Sequence, residues 1–271
     1  MISDALIAAA QRLSLAVGKL KFAAPVTHVY NPLDYAWRAH ELYLRNYGNS
    51  TKRVIFLGVN PGPFGMAQTG IPFGQVAAVR DWLGIVAKID KPRKENPRRP
   101  VLGFDCHRSE ISGERLWGLF ARRFGSAEKF FREHIVMNYC PLAFLEQSGR
   151  NRTPDKLPPR EREKLFAACD AHLREVVRIL QPEWLIGVGD FAAKRAVGIF
   201  RGQVGAITLP LERQNVPASR LPQSGRTALN RPLHLGQILH PSPASPASNR
   251  NWAGKVTAQL VKLGVWQTSD G

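Results

Sequence analysis

The sequence predicts an α/β fold built on a parallel sheet, and three observations predict it. The first is the apolar run Val54–Val59, with basic residues before it and Gly and Pro after it. Such a run reads as a strand buried on both faces, as strands of parallel sheets are. The second is the recurrence of short apolar runs at Ile135–Asn138, Trp184–Val188 and Ile238–His240, with amphipathic helical stretches between them. The third is how these runs end. The first is followed by Asn60, the second closes on Asn138 and the last on His240, and Asn60 and His240 each precede a proline. A residue before proline is held extended, and the carboxyl ends of strands in open α/β sheets are where ligands bind.

In chain order, Ile2, Leu6, Ala9, Leu13, Val17 and Leu20 fall at helical spacing, with Ser3 or Asp4 as a cap. Asn31-Pro32 opens a second helix, Leu33 to Tyr47, that Gly48 ends. The loop after the first strand is shaped by Gly62, Gly65, Gly70 and Gly74 and stiffened by Pro61, Pro63 and Pro72. It also carries Phe64, Met66 and Phe73, large apolar side chains that either plug back into the core or stack on a flat ligand. Gln75 to Ala87 reads as helix. Asp90 to Pro100 is a basic, proline-interrupted surface loop, either simply solvated or in contact with phosphate.

Ser112 to Phe124 and Arg160 to Leu180 are amphipathic helices. Gly187, Gly189 and Ala192 imitate a dinucleotide fingerprint. No acidic residue at the end of a following strand is evident, and close helix–strand packing explains these glycines as well. Gly202 to Leu233, rich in Pro, Ser, Arg and Gln, reads as an inserted surface segment with room for one strand at Ala206–Leu209. The stiff, small-sided loop after His240 suits insertion into a groove. A helix from Asn251 to Leu263 closes the chain, with Gly264 past its end and an N-terminus suited to an anion near Ser248, Asn249 and Arg250.

The 271 residues are expected to form a single domain. With 38 Lys+Arg against 21 Asp+Glu, the net charge is +17, a field that attracts polyanions, nucleic acid before anionic membrane. No apolar run approaches a membrane span. Ala5–Ala10 lacks a basic leader and is too short for a signal peptide. The expectation is a protein that is not secreted: cytoplasmic or nucleoid-associated in a bacterium, nuclear in a eukaryote. Three scattered cysteines, Cys106, Cys140 and Cys169, fit a reducing compartment and no disulfide framework. HExxH, the P-loop lysine, the G-x-S-x-G elbow and Cys/His zinc spacing do not occur. Neither a metal nor another cofactor is therefore expected, and a monomer is.

What the strand ends offer is Asn60, Asn138 and His240, with Phe73 nearby and no paired carboxylates. An Asn reads a base edge with its carbonyl and NH2 together. An aromatic ring stacks on a base face. A His stabilises charge growing on a carbonyl oxygen, and a basic surface holds phosphates. Together these describe a pocket for an extruded base.

At these residues the chain resembles a known family. GVNPGPFGMAQTGIPFG with HPSP at the last strand end is similar to the single-strand-selective monofunctional uracil-DNA glycosylases, within the uracil-DNA glycosylase superfamily. YNPLDYAW, GFDCHRSEISGERLWGLF, NYCPLAFL, SGRNRTP and WLIGVG extend the likeness over Pro25 to Trp266. The resemblance implies a central four-stranded parallel sheet flanked by helices on both faces. It implies hydrolysis of the N-glycosidic bond of uracil and of oxidised uracils such as 5-hydroxymethyluracil in single- and double-stranded DNA, without a lyase step. By motif, Asn60 is similar to the residue that positions the attacking water and Phe73 to the ring stacked on uracil. Asn138 corresponds to the amide that reads the uracil edge, and His240 to the residue that stabilises the leaving base. Gly62 and Met66 fall in the substrate-binding loop. Pro241, Ser242, Pro243, Ala244, Ser245, Asn249 and Arg250 fall in or beside the DNA-intercalating wedge. Ala244 is a departure, because the family carries arginine there. The alternatives are a glycosylase of the same fold for xanthine or hypoxanthine, or a member that binds DNA without cutting the bond.

Overall fold

The computed structural model describes residues 1–201, 204–208 and 232–268. The sequence-predicted insertion at 202–233 lies outside the described residues except for 204–208 and 232–233.

Helix α1 (Ile2–Gly18) comes first, then strand β1 (Val26–Tyr30). Asn31 caps the next helix by accepting from the Leu33 N–H at 3.2 Å, with Pro32 at its first position. The single helix expected from Leu33 to Tyr47 is two, α2 (Pro32–Tyr35) and α3 (Trp37–Tyr47), broken at Ala36. The break has a packing reason. A side chain on Gly70 would meet the Ala36 carbonyl at 2.7 Å, so the bend at Ala36 and the loop around Gly70 lie directly on one another. Strand β2 (Val54–Gly58) is buried throughout, and a short helix α4 (Met66–Thr69) follows in its loop.

The helix expected over Gln75–Ala87 is reduced to one wide turn at Ala78–Trp82. Gly84, at φ 62°, breaks its continuation. Next come α5 (Ile111–Phe124) and α6 (Ala127–Phe131), then β3 (His134–Asn138). Strands β4 (Ala143–Glu146) and β5 (Asn151–Arg152) are followed by α7 (Pro159–Leu180) and β6 (Trp184–Val188). The chain continues through α8 (Asp190–Phe200), β7 (Val204–Thr208), β8 (Leu233–Ile238) and α9 (Trp252–Lys262). The last strand therefore starts and ends earlier than the sequence suggested. His234, Gly236 and Gln237 interrupt its apolar character, which hides it from periodicity, and Leu239 and His240 lie beyond it.

The central sheet has the order β3-β2-β6-β8-β7, and every pair in it is parallel. The four predicted strands are its body, and β7 is added at one edge. The winding turns round at β2: the connection to β3 runs one way, and that from β6 to β8 runs the other. Right-handed crossovers then put the helices on opposite faces. On one face α5 packs with α6 and α9; on the other α7 packs with α1, and Phe191 of α8 meets Phe166 of α7 at 5.9 Å between ring centroids. A second sheet, β1-β4-β5, is antiparallel and was not anticipated. Its strands are short, and two of them lie in segments that read as motif rather than as periodic pattern.

Candidate active site

The loop after β2, the end of β3 and the segment after β8 converge on one cavity of about 200 Å³ at the carboxyl edge of the sheet. That is roughly seven water volumes, room for one heterocycle. Asn60, Gly62, Met66, Phe73, Asn138, His240 and Ser242 all line it. Of the residues singled out in the sequence, Pro241 is buried beside it. Pro243, Ala244, Asn249 and Arg250 are exposed on the adjoining loop, with Ser245 half-buried.

Asn60 is held by its amide nitrogen, which donates to the carbonyls of Leu142 at 3.2 Å and Arg152 at 3.4 Å. Leu142 directly precedes β4 and Arg152 ends β5, so the small antiparallel sheet fixes which way the amide faces. With the NH2 engaged, the oxygen is the atom left to accept a hydrogen bond from the cavity. Asn138 closes β3 in register with Gly58 of β2, and its NH2 donates to the Met66 sulfur at 3.2 Å.

Phe73 is held at φ 54°, a left-handed conformation that a bulky residue rarely adopts. Two glycines make room for it. A side chain on Gly58 would meet both the Phe73 ring and the Asn138 oxygen at 2.4 Å. One on Gly113, in the first turn of α5, would meet the Phe73 carbonyl at 2.0 Å. The loop between Gly62 and Gly74 is tied down along its length. The Tyr35 hydroxyl donates to the Ala67 carbonyl at 2.6 Å, and Gln68 donates to Pro63 and Pro100 and accepts from Leu102 and Gly103. Thr69 donates to Gly74 at 2.9 Å.

His240 accepts the Ser242 N–H on its Nδ1 at 3.0 Å. A nitrogen that accepts carries no proton, so the hydrogen sits on Nε2. Burial lowers the pKa to about 4, which keeps this imidazole neutral with a single N–H to offer. The glycines that imitated a dinucleotide fingerprint have packing reasons here. A side chain on Gly187 would strike the Ala193 backbone of α8 at 2.3 Å. One on Gly189, at φ 89°, would strike the His240 Cβ at 2.9 Å.

The loop after His240 is folded on itself. Asn249 donates to the Pro243 carbonyl at 3.1 Å, and the Ser245 N–H to the Ser242 carbonyl at 3.0 Å. The Ser248 hydroxyl donates to the His240 carbonyl. Arg115 of α5 donates to the carbonyls of Pro241 and Ser248 at 2.9 and 3.1 Å, bridging the two ends of the loop.

Sequence reasoning missed Glu110 and Arg115. The Glu110 carboxylate accepts the Phe64 N–H at 3.2 Å, and the residue lies so close to the loop that a side chain on Gly62 would overlap its carboxylate and one on Gly65 would meet its Cγ at 2.9 Å. Burial raises its pKa, against the smaller opposite effect of the Phe64 N–H. Both residues sit in GFDCHRSEISGERLWGLF, far in sequence from the strand ends, and no local pattern distinguishes them from surface charges. Among the described residues there is no cluster of three His, Cys, Asp or Glu side chains able to hold a metal. Nor is there a lysine in the cavity lining.

A family model described as the uracil DNA glycosylase superfamily matches residues 45–262. The chain is 42% identical over 254 residues to single-strand selective monofunctional uracil-DNA glycosylases of Rattus norvegicus and Mus musculus. The match covers 94% of this chain and 82% of each relative. The relative in Bos taurus is likewise 42% identical, with 84% of its length covered. In fold, the crystal structure of Pedobacter heparinus SMUG2 is similar, with a TM-score of 0.59 at 15% identity over 94% of this chain and 98% of that one. This chain belongs to the uracil-DNA glycosylase superfamily, in its single-strand-selective monofunctional family.

Proposed function

We propose that this chain is a uracil-DNA glycosylase that hydrolyses the N-glycosidic bond of uracil, and of 5-substituted uracils such as 5-hydroxymethyluracil, in single- and double-stranded DNA. The observation that carries the reading is the pairing of a neutral His240, proton on Nε2, with an Asn60 whose amide is turned oxygen-first, across a cavity sized for one base. In the reaction the base stacks on Phe73 and its edge meets the Asn138 amide, which leaves the Met66 sulfur. The C1′–N1 bond breaks toward an oxocarbenium-like sugar. His240 donates from Nε2 to uracil O2 as negative charge develops there. Asn60 is no strong base, but its oxygen orients the water that captures the sugar. The exposed tip at Pro243 and Ala244 enters the space the extruded base leaves. Without a lysine in the lining no sugar adduct forms, so the enzyme is monofunctional. The reading includes a monomer working without metal, in a reducing compartment suited to its three free cysteines.

The test is excision from labelled oligonucleotides carrying one uracil in single-stranded, U:G and U:A contexts, without metal, followed by alkali. Strand cleavage that requires alkali is expected, falling about 10²–10³-fold in Asn60→Ala and His240→Ala. A borohydride-trapped protein–DNA adduct would overturn the monofunctional assignment. Intact binding without cleavage would move the reading to another base, for which xanthine and hypoxanthine oligonucleotides are the next substrates.

A further inference from the structure

Phe64, in the wall-forming loop after β2, is flanked by two arginines from different segments. The Arg108 guanidinium carbon lies 4.0 Å from the ring centroid and that of Arg99 lies 5.2 Å from it, both within cation–π range. Arg99 belongs to the basic loop at 90–100, Arg108 to the segment that precedes α5. The backbone beneath that ring is held in place, because the Phe64 N–H is bonded to Glu110 and Gly62 and Gly65 lie against the Glu110 side chain. Neither arginine forms an ion pair among the described residues. Arg99 is half-buried, with its Nε unbonded and one Nη donating to the Arg98 carbonyl at 2.9 Å. Two like charges are thus held on one ring, that of the residue next to Pro63 of the cavity lining. They stand on the β2 side, whereas the exposed Pro243–Ala244 tip rises from β8, two strands away.

From this geometry we infer that Arg99 and Arg108, stacked on Phe64, grip a phosphate of the DNA strand on the β2 side of the pocket. The inference deepens the glycosylase reading and rests on it for the identity of the polyanion. Guanidinium forks match phosphate oxygens, and prior stacking lowers the entropy lost when they engage. The position matters for extrusion. A strand held on the β2 side and pressed from the β8 side is fixed on both flanks of the base that enters between them. In this chain the wedge carries Ala244, so it contributes no cation of its own at that position.

The test is the salt dependence of binding to a single-stranded oligonucleotide containing one uracil, measured by anisotropy from 50 to 300 mM salt. Uracil excision by the unmodified protein is run beside it. Each phosphate contact contributes about 0.7 to the slope of log K against log salt on single strands. The double variant, which loses the one shared phosphate contact, is expected to lower the slope by about 0.7, and Arg99→Gln and Arg108→Gln are each expected to lower it by part of that amount. The loss is expected to be equal for uracil and thymine strands, since a phosphate contact carries no base information. Arg174→Gln, an exposed arginine on α7, is expected to leave the slope unchanged. Arg108 is exposed and its side chain makes no hydrogen bond among the described residues, so its single variant should fold and is decisive alone. A wild-type slope in Arg108→Gln, with unmodified protein active on uracil, overturns the grip and leaves the glycosylase reading standing. Absent excision by the unmodified protein removes that reading instead.

Discussion

The Arg115 guanidinium donates to the Ser248 carbonyl at 3.1 Å, and from the same nitrogen to the Pro241 carbonyl at 2.9 Å. A helix on one side of the sheet therefore closes the loop that follows His240, and with it sets where the imidazole and the exposed tip stand. Ser248 completes the closure through its bond to the His240 carbonyl.

Arg115→Met is expected to keep most of the packing of the stem while removing both bonds. Bonds from a charged donor are worth roughly 1.5–3 kcal/mol each at most, so a stability loss of about 1–3 kcal/mol is expected in denaturant melts. If the tip fills the stack as proposed, excision from duplex should fall further than excision from single strands, which have no stack to fill. Equal losses in the two contexts would show that the loop closure serves stability alone.

Gly58→Ala places a methyl group 2.4 Å from both the Phe73 ring and the Asn138 oxygen. Neither neighbour can yield without leaving the cavity wall: Phe73 is already in a strained conformation, and Asn138 is at the end of a ladder. The expected outcome is a folded protein whose kcat/KM for uracil drops by at least about tenfold, a barrier increase of about 1.4 kcal/mol. Unchanged kinetics would mean that Phe73 and Asn138 do not define the base pocket.

The pH dependence of excision follows from His240. In the proposed mechanism its working form is the neutral imidazole, and burial lowers its pKa to about 4 from the usual 6.5. Single-turnover rates should therefore show no step from His240 near pH 6.5, and its titration should come at about pH 4. A step near 6.5 that disappears in His240→Asn would contradict this assignment.

Stability carries the same signature more strongly. Burial lowers His40, His134, His172 and His240 each to about 4. His134 shows why: its Nδ1 is bonded to the Phe130 carbonyl at 3.1 Å, its Nε2 meets the Trp266 indole N–H at 3.3 Å, and aromatic rings surround it. In the unfolded chain these groups take up protons near pH 6.5, while in the folded chain they do so only near 4. Folding stability is thus complete above pH 6.5 and lost as the pH falls toward 4, at most about 3 kcal/mol per histidine. Urea melts at pH 7.5 and 5 should differ by several kcal/mol. Equal midpoints and slopes would show that these histidines are not held neutral.

Much of this protein is legible in the order of its residues, for a physical reason. Strands buried on both faces must be continuously apolar, so Val54–Val59, Ile135–Asn138 and Trp184–Val188 declare themselves, and Asn60 before Pro61 and His240 before Pro241 mark where the pattern stops. Those local signals determined the parallel sheet and the cluster of Asn60, Phe73, Asn138 and His240. Tertiary structure decided what depends on contacts between distant segments. It broke the expected helix at Ala36, because the Gly70 loop rests there. It moved the last strand to Leu233–Ile238, whose polar residues conceal it from periodicity. It turned the Asn60 amide oxygen-first by bonding its nitrogen to carbonyls 82 and 92 residues away, and put the His240 proton on Nε2. It drew Glu110 to the cavity, Arg115 to the loop after His240, and Arg99 and Arg108 onto the Phe64 ring, from stretches where a charged side chain looks like any solvated one. Hydrophobic period is written in neighbours along the chain, whereas the direction of an amide, the tautomer of an imidazole and the counterpart of a charge are fixed only by what folding brings beside them.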